Sequence, residues 1–235
     1  MLNVDNVTYR YNGQKEPAAN HLSFVVERGL ICGLLGPNGS GKTTAIQLIL
    51  GLLNAEEGSI TVQNFSLISD SFHYKSSIGY CSDSESIYDN LTGLEYLNFI
   101  ADMYGVSSGK REENYRPLIA DFQVQPFLDK PIKSCSHGTK KKFFIMASIV
   151  HSPPLWILDE PLTGLDVEAM MVLKRLMKSY AKQGNAVLFS SHIMEVCEQI
   201  CDQIVIIKNG SIVHIAESLQ VENKTLEQLY LEVVQ

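Results

Sequence analysis

Residues 30–44 read LICGLLGPNGSGKTT, and no other stretch restricts the fold of this chain as tightly. A continuous apolar run ends in glycine and passes into G-x-x-x-x-G-K-[ST], after which the spacing predicts a helix from Thr43 to about Leu53. The apolar run reads as a strand buried on both faces. Between strand and helix, Gly36, Gly39 and Gly41 let the nucleotide-binding loop that also holds Pro37, Asn38 and Ser40 turn its N–H groups, all but that of Pro37, which has none, inward around phosphate oxygens, and the helix N-terminus adds positive dipole. Lys42 supplies charge for a β- or γ-phosphate, Thr43 can ligate Mg²⁺, and Thr44 closes the nucleotide-binding segment. An ordinary glycine-rich turn needs none of these flanks.

The remaining chain fits an α/β core around that element. Residues 4–11 and 22–26 alternate as edge strands, and EEGSITV (56–62) and KSSIGYC (75–81) read as two more. Residues 84–150 carry helical patterns without a convincing strand, which predicts an inserted helical subdomain. LWILDEP (155–161) and NAVLFSSH (185–192) return to buried strands, with a helix from Val167 to about Gln183 between them. Asn209-Gly210 between two apolar runs predicts a hairpin, and a short amphipathic helix closes the sequence. The expected fold is a P-loop NTPase core with a mixed sheet, an N-terminal antiparallel β subdomain and an inserted α-helical subdomain. The expected divisions are 1–83, 84–150, 151–215 and a tail at 216–235.

Charge bears on partners. With 26 acidic against 19 basic residues, the net charge of −7 disfavours a polyanion partner, so no nucleic acid is expected despite KKK at 140–142. Five cysteines without a CxxC pair point to reduced thiols in a cytosolic compartment. No signal peptide and no run of about 18 apolar residues is visible, so a membrane role would require another polypeptide.

Three further residues invite chemistry. Asp159 and Glu160 follow four apolar residues at a strand's carboxyl end, where open α/β sheets place ligand-binding groups. Asp159 suits Mg²⁺ through its water, and Glu160 suits polarising an attacking water. His192 ends another such strand and can hydrogen-bond a γ-phosphate or that water.

Phosphate loop, LWILDEP, GLD (164–166) and SSH (190–192), in that order around a helical insert, resemble the nucleotide-binding domain of ABC ATPases. The resemblance covers nearly the whole chain. It implies ATP and Mg²⁺ as cofactors, a second cassette facing this one head to tail, and separately encoded transmembrane permease subunits. It also implies a peripheral place on the cytoplasmic face of a membrane. In that family a signature, typically LSGGQ, reaches the partner's ATP; here Cys135, Ser136, His137, Gly138 and Thr139 stand there, with His137 replacing the first glycine and Thr139 the glutamine. Tyr11 occupies the adenine-stacking position, Asp166 the residue joining two protomers' sites, and Asp83 the place of a glutamine that contacts Mg²⁺ and water. Lys140, Lys141 and Lys142 fall in the first turn of the signature helix, where a bound anion would offset their cost against the dipole and some would be merely solvated. The YSxGM-like form of the signature suggests export. A non-transport ATP-gated clamp and a catalytically silent nucleotide sensor are the rival expectations.

Overall fold

The computed structural model describes residues 1–82, 88–217 and 226–234. Asp83 lies outside the described residues. The first sheet is antiparallel, with order β2-β1-β4 for β1 (Leu2–Tyr9), β2 (Ala19–Val26) and β4 (Glu57–Val62). A second sheet of six strands has the order β5-β6-β7-β3-β8-β9. It comprises β3 (Ile31–Leu35), β5 (Ile78–Cys81), β6 (Leu155–Leu158), β7 (Ala186–Ser191), β8 (Gln203–Lys208) and β9 (Ser211–Glu217). All are parallel except β9, which pairs antiparallel with β8.

Strict alternation with both faces covered explains why the central strands carry uninterrupted apolar runs, LWIL in β6, AVLF in β7 and IVII in β8. On β6, Trp156 and Leu158 join the core under the helical insert, while Leu155 and Ile157 join the core on the other face, with α1 (Lys42–Ile49) and the antiparallel sheet. On β7, Val187 and Phe189 separate from Ala186 and Leu188 in the same way. Both faces are therefore dry, and the polar termini of these strands are left for the sheet's carboxyl edge.

The insert carries α3 (Gly93–Met103), α4 (Ser108–Asp121) and α5 (His137–Ser148). α3 opens with a capping box: the Glu95 N–H donates to Thr92 Oγ1 at 3.2 Å and the Thr92 N–H to Glu95 Oε2 at 2.8 Å. Helix α6 (Val167–Lys182) follows β6, close to its expected limits. The hairpin turns at Asn209 and Gly210, both with positive φ, in the two-residue geometry that matches strand twist. α8 (Leu226–Val234) packs on α7 (Met194–Ile200) and β9. α1 stops at Ile49, earlier than the periodicity suggests, because Gly51 adopts a left-handed conformation just beyond it. α2 (Ser71–Ser76) and α7 are helices that the apolar pattern does not reveal, each being too short for a period to repeat.

Candidate functional site

The loop after β3 is shaped by lack of space. A β-carbon on Gly36 would lie 2.3 Å from the Ile207 carbonyl oxygen and 2.6 Å from Ser40 Oγ. Gly41, the N-cap of α1, has φ 108°, and a β-carbon there would lie 2.6 Å from the Ala18 carbonyl oxygen. From this turn Lys42 folds back, its Nζ donating to the carbonyls of Gly36 at 2.8 Å and Pro37 at 3.2 Å, with Glu160 Oε1 at 3.9 Å. Burial depresses its pKa, while the carboxylates of Glu160 and then Asp159 act in the opposite sense. The Ser40 hydroxyl is buried without a hydrogen-bond partner among the described residues.

Asn38, Gly39, Gly41, Lys42, Thr43 and Thr44 open onto a cleft of about 870 Å³, which Tyr11, Glu160, Asn209 and Gly210 also line. The tip of the β8–β9 hairpin thus borders the loop: the Gly210 N–H donates to the Ser40 carbonyl at 2.8 Å. Tyr11 donates from its hydroxyl to Gln47 Oε1 and lies 3.3 Å from Thr44 Oγ1, which fixes it beside α1 at the cleft.

The parallel strands bring the remaining polar groups to the same edge. Asp159 follows β6 and is buried; Glu160 follows it with φ 43°, a strained backbone for a non-glycine residue. Ser190, near the end of β7 and fully buried, joins the two. Its hydroxyl donates to Asp159 Oδ1 at 2.5 Å and accepts the Glu160 N–H at 2.8 Å. His192 Nδ1 stands 3.1 Å from Glu160 Oε2. Lys42, Glu160 and His192 therefore form a continuous polar line across the ends of β3, β6 and β7. Ser190 is the residue that sequence reasoning passes over; its signal is its place two residues before His192, where the apolar run of β7 gives way to two serines.

The signature residues do not line this cleft. Ser136 caps α5, accepting the Thr139 N–H at 3.2 Å, with the two hydroxyl oxygens 2.9 Å apart. His137 and Gly138 lie against Gly164, and Asp166 caps α6 by accepting the Ala169 N–H at 2.8 Å. The three lysines have partners within the chain, which corrects the expectation that some are merely solvated. Lys140 pairs with Asp89 at 3.1 Å, Lys142 pairs with Asp166 at 2.8 Å, and buried Lys141 donates to the Ser82 carbonyl at 3.1 Å.

A family model described as ABC transporter matches residues 19–163, more than half of the chain. The chain belongs to the ABC transporter family. Among its relatives in that family, the ABC-type transporter ATP-binding protein EcsA of Bacillus subtilis is 33% identical over 239 residues, covering 99% of this chain and 96% of EcsA. The human phospholipid-transporting ATPase ABCA7 is 32% identical over 210 residues, covering 89% of this chain and 10% of that protein. A solved ATP-binding subunit of an ABC transporter superposes with TM-score 0.94 over 100% of both chains at 30% identity. A dimeric bacterial ABC transporter cassette, 21% identical, shares the fold with TM-score 0.82 over 92% of this chain and 98% of its own. This chain is an ATP-binding subunit of an ABC transporter, and among the described residues no helix is long and apolar enough to cross a membrane.

Proposed function

We propose that this subunit hydrolyses MgATP between two cassettes and so drives transport through separate membrane subunits. The convergence of Lys42, Glu160 and His192 at one sheet edge, beside a loop with no space for a β-carbon at Gly36 or Gly41, carries the reading. When bound, MgATP supplies the scissile phosphoanhydride and a cation that draws charge off its oxygens. The cradle fits: Gly36 and Gly41 leave room for backbone donors to approach phosphate, and Thr43 with Asp159 offers the hard oxygen ligands Mg²⁺ prefers. Asp83 is assigned to the same metal from the family pattern alone.

Gly36 to Thr44 bind the phosphates and Tyr11 stacks on the base. Lys42 exchanges its carbonyl partners for phosphate oxygen, a gain because its cation is buried among weaker acceptors. Glu160 takes a proton from the attacking water, oriented by the Ser190 bond to its backbone and by His192 at Oε2. Within the signature Ser136, His137, Gly138 and Thr139, it is Ser136 and Gly138 that face the ATP of a second cassette, with Asp166 at the interface. The dimeric state of a cassette of the same fold supports this arrangement.

A membrane partner fits the surface. Leu67 packs against Gly51, so the exposed side chains of Leu52 and Ile68 flank one contact, and exposed Phe72 lies on α2. Apolar groups this open suit an apolar partner. Export remains the direction favoured by the signature, and resemblance to a phospholipid-transporting ATPase favours a lipid-like cargo. Glu160→Gln tests the chemistry: it should bind MgATP normally and lose ~10²–10⁴-fold in turnover. Turnover near that of the unaltered chain would remove Glu160 from the role of base.

A further inference from the structure

The departure of this chain at position 137 coincides with an unusual contact. The His137 ring lies directly over Gly164, where a β-carbon would come within 2.4 Å of Nδ1 and 2.7 Å of Cε1. Gly164 has φ 80°, so conformation and space both require glycine. On the next residue of α5, a β-carbon at Gly138 would lie 2.9 Å from the Gly164 carbonyl oxygen, so the two backbones are in close approach. One turn further along the same face, Lys142 Nζ reaches Asp166 Oδ2 at 2.8 Å. The other oxygen of Asp166 accepts the Ala169 N–H, so one carboxylate ties α5 to α6. Lys142 and then the Ala169 N–H hold that carboxyl below its usual range. Between these fastenings, Leu165 is buried in the apolar core.

We infer that His137 and Lys142 are positioning residues that lock residues 164–166 onto the start of α5, so that signature and Asp166 meet a second cassette as one preformed surface. The inference rests on the two-cassette reading. A glycine at 137, as the family has, would leave Gly164 uncovered and the loop held from one end only. Preordering matters because a loop frozen only on assembly subtracts its conformational entropy from the association free energy. His137 thus acts through the loop, whereas a histidine that touched the partner's phosphate would act as a cation.

The test uses the full chain carrying Glu160→Gln, with MgATP as the ligand and sedimentation as the measure of dimerisation. Adding His137→Gly should weaken ATP-dependent dimerisation by ~10-fold while ATP affinity of the monomer stays unchanged. Gly164→Ala should weaken it as well, and His137→Gly in that background should restore part of the loss, because the clash is then gone. Lys142→Met and Asp166→Asn, which keeps the cap on α6, should be non-additive when combined. His137→Gln, which retains a planar side chain, should dimerise nearly normally, with hydrolysis by the otherwise unaltered chain showing an unchanged pH profile. Unaltered dimerisation of the His137→Gly protein would overturn the inference. So would a pH profile that loses an imidazole titration in His137→Gln, since that places His137 on the phosphate itself. Failure of the Glu160→Gln parent to dimerise although it binds MgATP would instead sink the two-cassette reading.

Discussion

Ser190→Ala removes a single oxygen from the floor of the site, and its cost can be worked from two contacts. That hydroxyl donates to Asp159 Oδ1 and accepts the Glu160 N–H, at a position with no solvent exposure. A bond to a carboxylate contributes ~1.5–3 kcal/mol, and leaving a buried N–H unpaired costs ~1–3 kcal/mol. Because one atom makes both bonds the losses overlap, and ~2–4 kcal/mol of folding stability is expected to go. The space left by one hydroxyl is too small to admit a replacement water. Function should fall further than stability. Glu160 sits at φ 43°, a conformation that is strained by ~1–3 kcal/mol and persists only where its surroundings hold it. Freed from Ser190, the backbone relaxes, and a carboxylate displaced by ~1 Å costs up to ~10²-fold in rate. Steady-state hydrolysis, ATP titration and urea unfolding on Ala and Thr variants separate these effects. The expected pattern is a kcat lowered ~10–100-fold in Ala with ATP affinity within ~3-fold, and substantial recovery in Thr, which keeps the hydroxyl. A Ser190→Ala protein with normal kcat, or one whose affinity falls in step with kcat, would refute the assignment.

Two other outcomes follow from burial. Lys42→Met should leave the nucleotide-free fold as stable or more stable, since it replaces a desolvated cation, while ATP affinity drops at least ~10-fold; thermal melts and calorimetry measure the two. His151 stacks on Tyr104 at 3.6 Å between ring centres, and its Nε2 lies 3.2 Å from the Ile78 carbonyl oxygen. Burial depresses its pKa from 6.5 to about 4. The unfolded chain therefore takes up this proton first, so stability contributed by neutral His151 is complete above pH 6.5 and is lost as pH falls toward 4, by up to ~3 kcal/mol. His151→Gln should flatten urea-unfolding stability across that window, and an unchanged slope would contradict burial of this ring as the origin.

The phosphate loop and the ends of β6 and β7 are legible because each is a departure from a pattern that packing alone explains. Strands such as LWIL and AVLF need no charges, so Asp159, Glu160 and His192 at their ends stand out, and parallel pairing then carries all of them to one edge. Ser190 is hidden for the opposite reason: a small polar residue at a strand end is ordinary, and only the register of β7 beside β6 shows that it bridges two carboxylate-bearing positions. The hairpin at Asn209-Gly210 is readable as a turn, yet its place against the phosphate loop depends on β8 lying next to β3, a pairing between residues far apart in sequence. α2 and α7 escape notice because six or seven residues give too few repeats for a helical period to show.

The lysines at 140–142 show the limit most clearly. Read along the sequence, three cations in the first turn of a helix are a cost that asks for an external anion. In the fold each fans to a different neighbour: Lys140 to Asp89 before α3, Lys141 to the backbone at Ser82 after β5, and Lys142 to Asp166 before α6. Consecutive helical residues diverge by about 100°, so three adjacent lysines cannot serve one phosphate but can fasten one helix end to three separate segments. Two of those segments flank groups assigned to nucleotide: Ser82 precedes Asp83, and Asp166 lies six residues after Glu160. A cation pattern that resembles a binding patch in one dimension is, in three, the attachment of the signature helix to the loops around the site.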